Sequence, residues 1–329
     1  KGFPVCFMVQ VLPVSAIVPT RHRSVPLQTM LESMARQSAQ PQETIVVDAS
    51  DDNATKTLCA TPIAGLRTEV KYYRAIARGA ATQRNQAVGH AAYLEGILFL
   101  DDDITFEPDC LLRMWSALQR DPQLGGLNAT ITNCKYLPPG RFSGWLFRYL
   151  NGRSEKSYAG KCIGPVMNLL PEDRPDLPEV VPVEWINTTC ALYRRVALPE
   201  PPFPKHFTGY SLMEDVTLSL MVGKQWRLAN ARTARIFHDS QPGDHKNNAA
   251  VLAKMDLVNR YYVMTRILER QTAEDHVKLV VQQLFGMAAS LTSPRGWLEL
   301  PGVVWGKCGA IAEIATSPIS SPTSSQARG

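Results

Sequence analysis

Short apolar runs recur along the first 240 residues, each bounded by polar or turn-forming residues. Ser15-Ala-Ile-Val-Pro19, Thr44-Ile-Val-Val-Asp48, Val70-Lys-Tyr-Tyr73, Ile97-Leu-Phe-Leu100 and residues 125–132 read as strands. Continuous runs of β-formers suit strands buried on both faces. Between them the period lengthens to that of a helix. Leu27, Met30, Leu31 and Met34 fall at i, i+3, i+4 and i+7, with Ser24 placed to cap and Pro26 in the first turn. Residues 80–94 form a second helix, and Pro108 opens a third carrying Leu111, Leu112, Trp115 and Leu118. This alternation predicts an α/β fold: a Rossmann-like, mostly parallel sheet flanked by helices.

The pattern loosens over 133–174, which is rich in Gly, Pro and aromatics and is expected to form long loops, with a lid among them. Order returns at 181–193, at a helix over 212–222 closed by Gly223, and at a strand over 234–238. Residues 247–270 and 273–291 have helical character. The tail from Thr316 is rich in Ser, Pro and Thr and is expected to be extended or disordered. The expected organisation is an N-terminal extension at 1–13, an α/β domain at 14–240 with halves at about 14–130 and 131–240, a C-terminal helical extension at 241–315 and a tail at 316–329.

Composition narrows the classes. With 329 residues, 45% hydrophobic and 20% charged, the chain can build one large α/β domain or two smaller ones. The net charge of +5 is mild, suits an anionic substrate, an anionic membrane surface or neither equally well, and is too weak and scattered for nucleic acid. Cys6, Cys59, Cys110, Cys134, Cys162, Cys190 and Cys308 are odd in number and lack a C-x-x-C, which points to buried free thiols in a reducing compartment. The sequons at Asn53, Asn128 and Asn187 are too short a pattern to outweigh this. No stretch reaches the roughly 18 apolar residues of a membrane span. The apolar opening at 3–13 is short, broken by Pro4, and without an evident cleavage site, so it does not read as a signal peptide. A cytoplasmic location is expected, with a peripheral place on the inner face of the membrane as a further expectation.

The chemistry concentrates in Leu100-Asp101-Asp102-Asp103-Ile104. The acids sit where a buried strand leaves the sheet, the place where open α/β sheets bind ligands. Adjacent carboxylates repel unless a cation or donors offset the charge, and hard oxygen ligands suit Mg²⁺ or Mn²⁺. On charge alone, an acidic surface turn is equally consistent. Asp48 ends the second strand and serves either as a ligand contact or as a turn former bonding its own backbone. Arg21 and Arg84 offer forks for a phosphate, or are surface charges. Glu214-Asp215 lies at a helix start, where carboxylates are favoured with or without a function. His238 is a metal-ligand candidate or a packed histidine, and Trp185, Tyr193, Tyr210 and Trp226 are sugar-stacking or core residues. Gly243-Asp-His245 is a candidate mobile loop. Residues 246–270 interleave Lys254, Arg260, Arg266 and Arg270 with apolar positions, and either lie on an anionic membrane or pack on the domain.

The order of these pieces resembles glycosyltransferase family 2, the inverting nucleotide-sugar enzymes of the GT-A fold. The matching pieces are Val14-Ser-Ala-Ile-Val-Pro-Thr-Arg21, Ile45-Val-Val-Asp48, Arg84-Asn85, Phe99-Leu-Asp-Asp-Asp103 with Pro108-Asp109, and Tyr210-Ser-Leu-Met-Glu-Asp215. The resemblance covers about residues 14–240. It implies a GT-A catalytic domain and Asp103 as the direct ligand of Mn²⁺ or Mg²⁺, with Asp101 and, from a later strand, His238 as further ligands. It implies Pro19, Thr20, Arg21, Asp48, Arg84, Asp101 and Asp102 around the nucleotide-sugar, and Asp215 as the catalytic base. Glu214, Trp185 and Tyr210 would then face the acceptor.

The implied reaction is inverting, metal-dependent transfer of a single hexosyl or deoxyhexosyl unit to an acceptor hydroxyl, in polysaccharide or glycolipid assembly. UDP is the first expectation for the donor base, with dTDP or GDP as alternatives. The acceptor would be a glycan or lipid-linked glycan. Ala49 stands where the family carries a second Asp, which puts base recognition in question. The Gln-x-x-Arg-Trp of processive members is missing, the nearest sequence being Gln225-Trp-Arg227. Two rivals remain: a nucleotidyltransferase of similar fold, and a degenerate, non-catalytic glycan- or membrane-binding protein. Thr20-Arg-His-Arg23 is not the Gly-rich loop the first would need, and Asp103 and Asp215 speak against the second.

Overall fold

Among the described residues nine strands join in one sheet with the order β3-β2-β1-β4-β10-β6-β11-β5, and β9 pairs with the first part of β11. The structure is a computed structural model describing residues 9–210, 212–241 and 248–316. The expectations for residues 1–8, for the loop at 243–245 and for the tail at 317–329 lie outside the described residues. β1 (Gln10–Thr20), β2 (Ala39–Asp48), β3 (Glu69–Arg74) and β4 (Gly96–Leu100) are parallel, linked by α1 (Ser24–Ala35), α2 (Ala54–Ala60) and α3 (Ala80–His90). β5 (Ile104–Phe106) and α4 (Cys110–Arg120) lead to β6 (Leu124–Ile131). Next come α5 (Arg141–Asn151), the short hairpin β7 (Cys162–Ile163) and β8 (Met167–Asn168), β9 (Val180–Val183) and β10 (Cys190–Arg194). α6 (Glu214–Val222), β11 (Arg227–His238), α7 (Ala249–Tyr262), α8 (Ala273–Ser290) and α9 (Pro294–Thr316) follow.

Alternation along the central strands feeds two cores. Ala16, Val18, Leu98 and Leu100 pack with Leu27, Met30, Leu31 and Met34 of α1 and Leu111, Met114 and Trp115 of α4. Ile17, Ile97 and Phe99 point to the other face, against α3, α6 and α7. A buried side chain of this size contributes about 1.5–3 kcal/mol, so both layers hold the strand ends in place. β10 runs antiparallel between β4 and β6, and carries Cys190 beside Leu100.

Several expectations change. β1 starts at Gln10, so residues 10–13 belong to the sheet and not to an extension. Ser24 is the first helical residue of α1, and Arg23 holds the cap position without a side-chain cap bond. The 133–174 region contains a helix, α5, whose buried residues are Leu146, Phe147 and Leu150. Gly144 inside it weakened the helical signal, and left-handed Gly152 closes it. The cysteines were expected to be buried, and Cys134 and Cys308 are exposed.

Of the basic segment expected at 246–270, the described residues 248–270 pack on the domain through their apolar side. Leu257, Val258, Tyr262, Val263, Met264 and Ile267 are buried in the second core. Arg260 pairs with Asp256 at 2.7 Å and donates to the Val166 carbonyl, Arg270 donates to the Gly164 carbonyl, and Lys254 pairs with Glu313 at 2.8 Å. No helix among the described residues is long and apolar enough to cross a membrane.

Candidate active site

The buried run Gly96–Leu100 ends at the mouth of a cleft of about 1010 Å³, and the three acids follow at once. Their backbone is held from both sides. Asp101 N–H donates to the Thr189 carbonyl at 3.0 Å, and Asp239 N–H donates to the Asp103 carbonyl at 2.9 Å. The antiparallel register of β11 on β5 sets His238 opposite Ile104. His238 thereby reaches Asp103, with Nε2 3.0 Å from Oδ1. One ligand atom each from Asp101, Asp103 and His238 lies within 4.8 Å of the others. Two hard carboxylate oxygens and an imidazole nitrogen converging at a cleft fit a divalent cation of the Mn²⁺ or Mg²⁺ kind. His22, Asp51 and Asp52 also gather, but all three are exposed.

Each acid has its own environment. Asp102 is buried, accepts from Thr20 Oγ1 at 2.6 Å and from Arg23 Nη1 at 3.2 Å. Burial, reinforced by the neighbouring Asp103 and Asp101, pushes its pKa up to about 6 against the pull of Thr20 and Arg23. Burial also opposes ionisation of Asp103, but His238, the Gln241 N–H at 3.1 Å and Arg23 Nη1 at 3.1 Å outweigh it and hold this carboxyl below its ordinary value. Asp103 is thus kept ready as an anion.

Arg84, on α3, is a buried cation. Its Nη2 donates to Asp101 Oδ1 at 2.8 Å and its Nη1 lies 3.7 Å from Glu214 Oε1. The guanidinium also stands 5.8 Å from the centre of the Phe203 ring. Nε and Nη1 are buried without a hydrogen-bond acceptor. An unmet buried donor costs about 1–3 kcal/mol, which marks Nη1, at the cleft wall, as ready for an oxygen acceptor.

Glu214 and Asp215 occupy the first turn of α6, after Met213 in the left-handed region at φ 76°. Asp215 Oδ1 accepts from the Val216 N–H at 2.7 Å. Burial raises both carboxyls, and the Asp215 charge raises Glu214 further. Both line the cleft. The loop ahead of them is tied to α7, because Asn259 Nδ2 donates to the Leu212 carbonyl at 2.8 Å. The chain ahead of α6 also meets the start of α3, where Gly79 bridges Gly209. A Cβ at Gly79, whose φ is 138°, would sit 2.7 Å from the Gly209 nitrogen and oxygen, so only glycine allows this approach.

Of the residues expected at the site, Pro19, Thr20, Arg21, Arg84, Asp101, Asp102, Asp103, Tyr210, Glu214, Asp215 and His238 border this cleft. Two do not. Asp48 is fully buried and spends its oxygens on Ser50 N–H at 2.8 Å, Tyr72 at 3.1 Å and Arg74 at 3.3 Å, which makes it the anchor of its own turn. Trp185 is buried and donates from Nε1 to the Leu169 carbonyl at 2.8 Å. It is a core residue, as is fully buried Tyr193. The sequence reading missed Arg23, Arg78 and Asn259. Arg23 stands two residues past Arg21, the last of the matched Val14–Arg21 piece, and was legible as a cation. Asn259 carried no signal within its own helix.

The family model described as glycosyl transferase family 2 matches residues 15–163. No curated protein matches the chain. Among solved structures, a mannosyltransferase, PcManGT from Pyrobaculum calidifontis, in complex with GDP-Man and Mn²⁺, is similar with a TM-score of 0.52 and 17% identity. That match covers 93% of this chain and 76% of the other. GalNAc-T7 with UDP, GalNAc and Mn²⁺ gives a TM-score of 0.53 at 12% identity, over 93% of this chain and 57% of that one. At these identities the likeness concerns the fold, a GT-A architecture: a mostly parallel sheet flanked by helices, with helices following at the C-terminus.

Proposed function

We propose that this chain, a family 2 glycosyltransferase over residues 15–163, moves a single sugar from a nucleoside-diphosphate sugar to an acceptor hydroxyl, with inversion and with a divalent cation. The observation that carries the reading is the convergence of Asp101, Asp103 and His238 in the same cleft as Glu214 and Asp215, with Arg84 between the two groups. The solved relatives with GDP-Man, or with UDP and GalNAc, each with Mn²⁺, support this choice of donor and ion.

Asp101, Asp103 and His238 would hold the ion, and Thr20 and Arg23 keep Asp102 and Asp103 in place behind it. When bound, a divalent cation supplies Lewis-acid neutralisation of the leaving diphosphate. Arg21 and Arg78, exposed at the cleft rim, add positive charge for the same phosphates. Asp215 takes the proton of the acceptor hydroxyl as it attacks the anomeric carbon from the side opposite the diphosphate. A carboxyl raised by burial is a better proton acceptor near neutral pH, and a placed base is worth about 10²–10⁴-fold. Arg84 holds Asp101 and Glu214 at a set separation and offers its unmet Nη1 donor to a sugar or acceptor oxygen.

A thermal-shift series with UDP, GDP and dTDP, each with and without Mn²⁺, tests the donor and the ion together. A ligand that binds only the folded state stabilises by RT ln(1 + [L]/Kd). One nucleotide should raise the melting temperature, and only with the metal. The matching nucleotide-sugar should then release its sugar to water or to a glycan acceptor. If no nucleoside diphosphate shifts the transition in either condition, the reading fails.

A further inference from the structure

Three helices leave an apolar outer surface with no covering element among the described residues. α5 exposes Phe142, Trp145 and, in part, Tyr149. α8 exposes Val277, Val280 and Leu284, a stripe at i, i+3 and i+7. α9 exposes Trp297, Leu298, Val304, Trp305 and Ile311, again at helical spacing. Its opposite side is made of small residues turned to α7 and α8. A Cβ at Gly306 would collide with the Ala250 backbone, and one at Gly296 with that of Ser290. The helices are neighbours. Phe142 lies 6.4 Å from Phe285, Lys278 stands 5.8 Å over the Tyr149 ring, and Lys307 bonds Gln283. On α8, Lys278 and Phe285 thus face α5, Gln283 faces α9, and Leu279 and Gln282 face inward. The exposed stripe lies between the two neighbours, so the three exposed faces share one side.

Exposed aromatic and aliphatic side chains at this density mark an interaction surface. Its charge selects the partner. α5 carries exposed Arg141 and Arg148 and no carboxylate. Lys135, Arg153 and Lys156 flank it, all exposed, and Glu155, the lone acid over 135–156, is already paired with Arg153 and Lys161. Trp and Tyr beside Arg are the side chains that settle at the headgroup level of a bilayer. We infer that the outer faces of α5, α8 and α9 dock on an anionic lipid bilayer, lying in its interface and not crossing it. This surface is separate from residues 257–267, whose apolar side chains are buried in the second core, and the inference stands apart from the proposed reaction.

Flotation of the full chain with vesicles of phosphatidylcholine alone, or of phosphatidylcholine with phosphatidylglycerol, tests it. The chain should float with the anionic vesicles at low salt and be released at high salt, since exposed charges are screened. Tryptophan emission should shift to the blue on binding. Trp145→Ser combined with Trp305→Ser should weaken partitioning by about tenfold or more, and Arg141→Glu with Arg148→Glu should abolish the preference for phosphatidylglycerol. These side chains are exposed and outside the cleft, so nucleotide thermal shifts should match those of the parent chain. Recovery of the parent chain in the unbound fraction with both vesicles would overturn the inference, as would equal binding to both. A concentration-dependent dimer that Trp305→Ser dissolves, without vesicle binding, would assign the surface to a second copy of the chain instead.

Discussion

Asp101 and Glu214 are bridged by one buried guanidinium: Arg84 stands 2.8 Å from the first and 3.7 Å from the second. The carboxylate of the proposed metal site and the acid beside the proposed base are thereby mechanically and electrostatically linked.

Replacing Arg84 by Met keeps an unbranched apolar stem and removes the cation. Two carboxylates would then be left without their buried partner, a change that costs about 3 kcal/mol or more. Glu214 is already raised by burial and by Asp215, and would rise further. A carboxyl whose folded pKa exceeds its unfolded one stabilises below the unfolded value and loses that contribution as pH rises through the folded value. The stability deficit of Arg84→Met should therefore be largest at alkaline pH and shrink on acidification. Denaturant titrations across pH measure this. A pH-independent deficit would remove the electrostatic explanation.

Asp103→Asn should abolish Mn²⁺-dependent stabilisation by the cognate nucleoside diphosphate. For the parent chain that stabilisation is about 2.7 kcal/mol at a ligand concentration of 100 Kd. EDTA should have the same effect on the parent chain, reversed by Mn²⁺ or Mg²⁺. Unchanged nucleotide binding and transfer in EDTA would exclude a role for the ion.

Asp215→Asn keeps the side-chain shape and can still accept from the Val216 N–H, but it cannot take a proton. kcat should fall by about 10²-fold or more, with nucleotide affinity nearly unchanged. NMR of the product linkage should show inverted anomeric configuration. Near-normal turnover by the variant would move the role to Glu214, and a retained configuration would exclude the direct displacement.

Far from the cleft, Glu43 accepts from Ser15 at 2.6 Å, from the Ala92 N–H at 2.7 Å and from Lys71 at 2.7 Å, and is buried. Burial works against its charge, but Lys71, Ser15 and the Ala92 N–H together hold its pKa below the ordinary 4.5. A depressed carboxyl contributes stability above the unfolded value that is lost as pH falls through the folded one. Glu43→Gln should cost about 2 kcal/mol at neutral pH, and the difference from the parent chain should narrow below about pH 4.5. Parallel unfolding curves at pH 7 and in mild acid check this.

What was legible in the sequence is local. The apolar runs that became β1, β2 and β4 and the i, i+3, i+4 faces of α1 and α4 are set by backbone geometry, which repeats every two or 3.6 residues. The acids at 101–103 were legible because a strand end and its following turn adjoin in sequence. Helix α5 was hidden by Gly144, and the separate bounds of α9, inside the expected helical extension, by its glycines and Pro301. Low intrinsic propensity was overridden there by packing that only the folded chain supplies. The resemblance implied that His238 joins Asp101 and Asp103, but the strand pairing that brings it there, and the other partnerships of the site, lay beyond sequence reading. His238 meets Asp103 because β11 folds back on β5, Arg84 meets Glu214 across the cleft, and Asn259 of α7 steadies the loop before α6. Asp48 and Trp185 show the converse. Their types suited a ligand, and tertiary packing enclosed both, because a side chain's partners are chosen by strand order and helix docking and not by its neighbours along the chain.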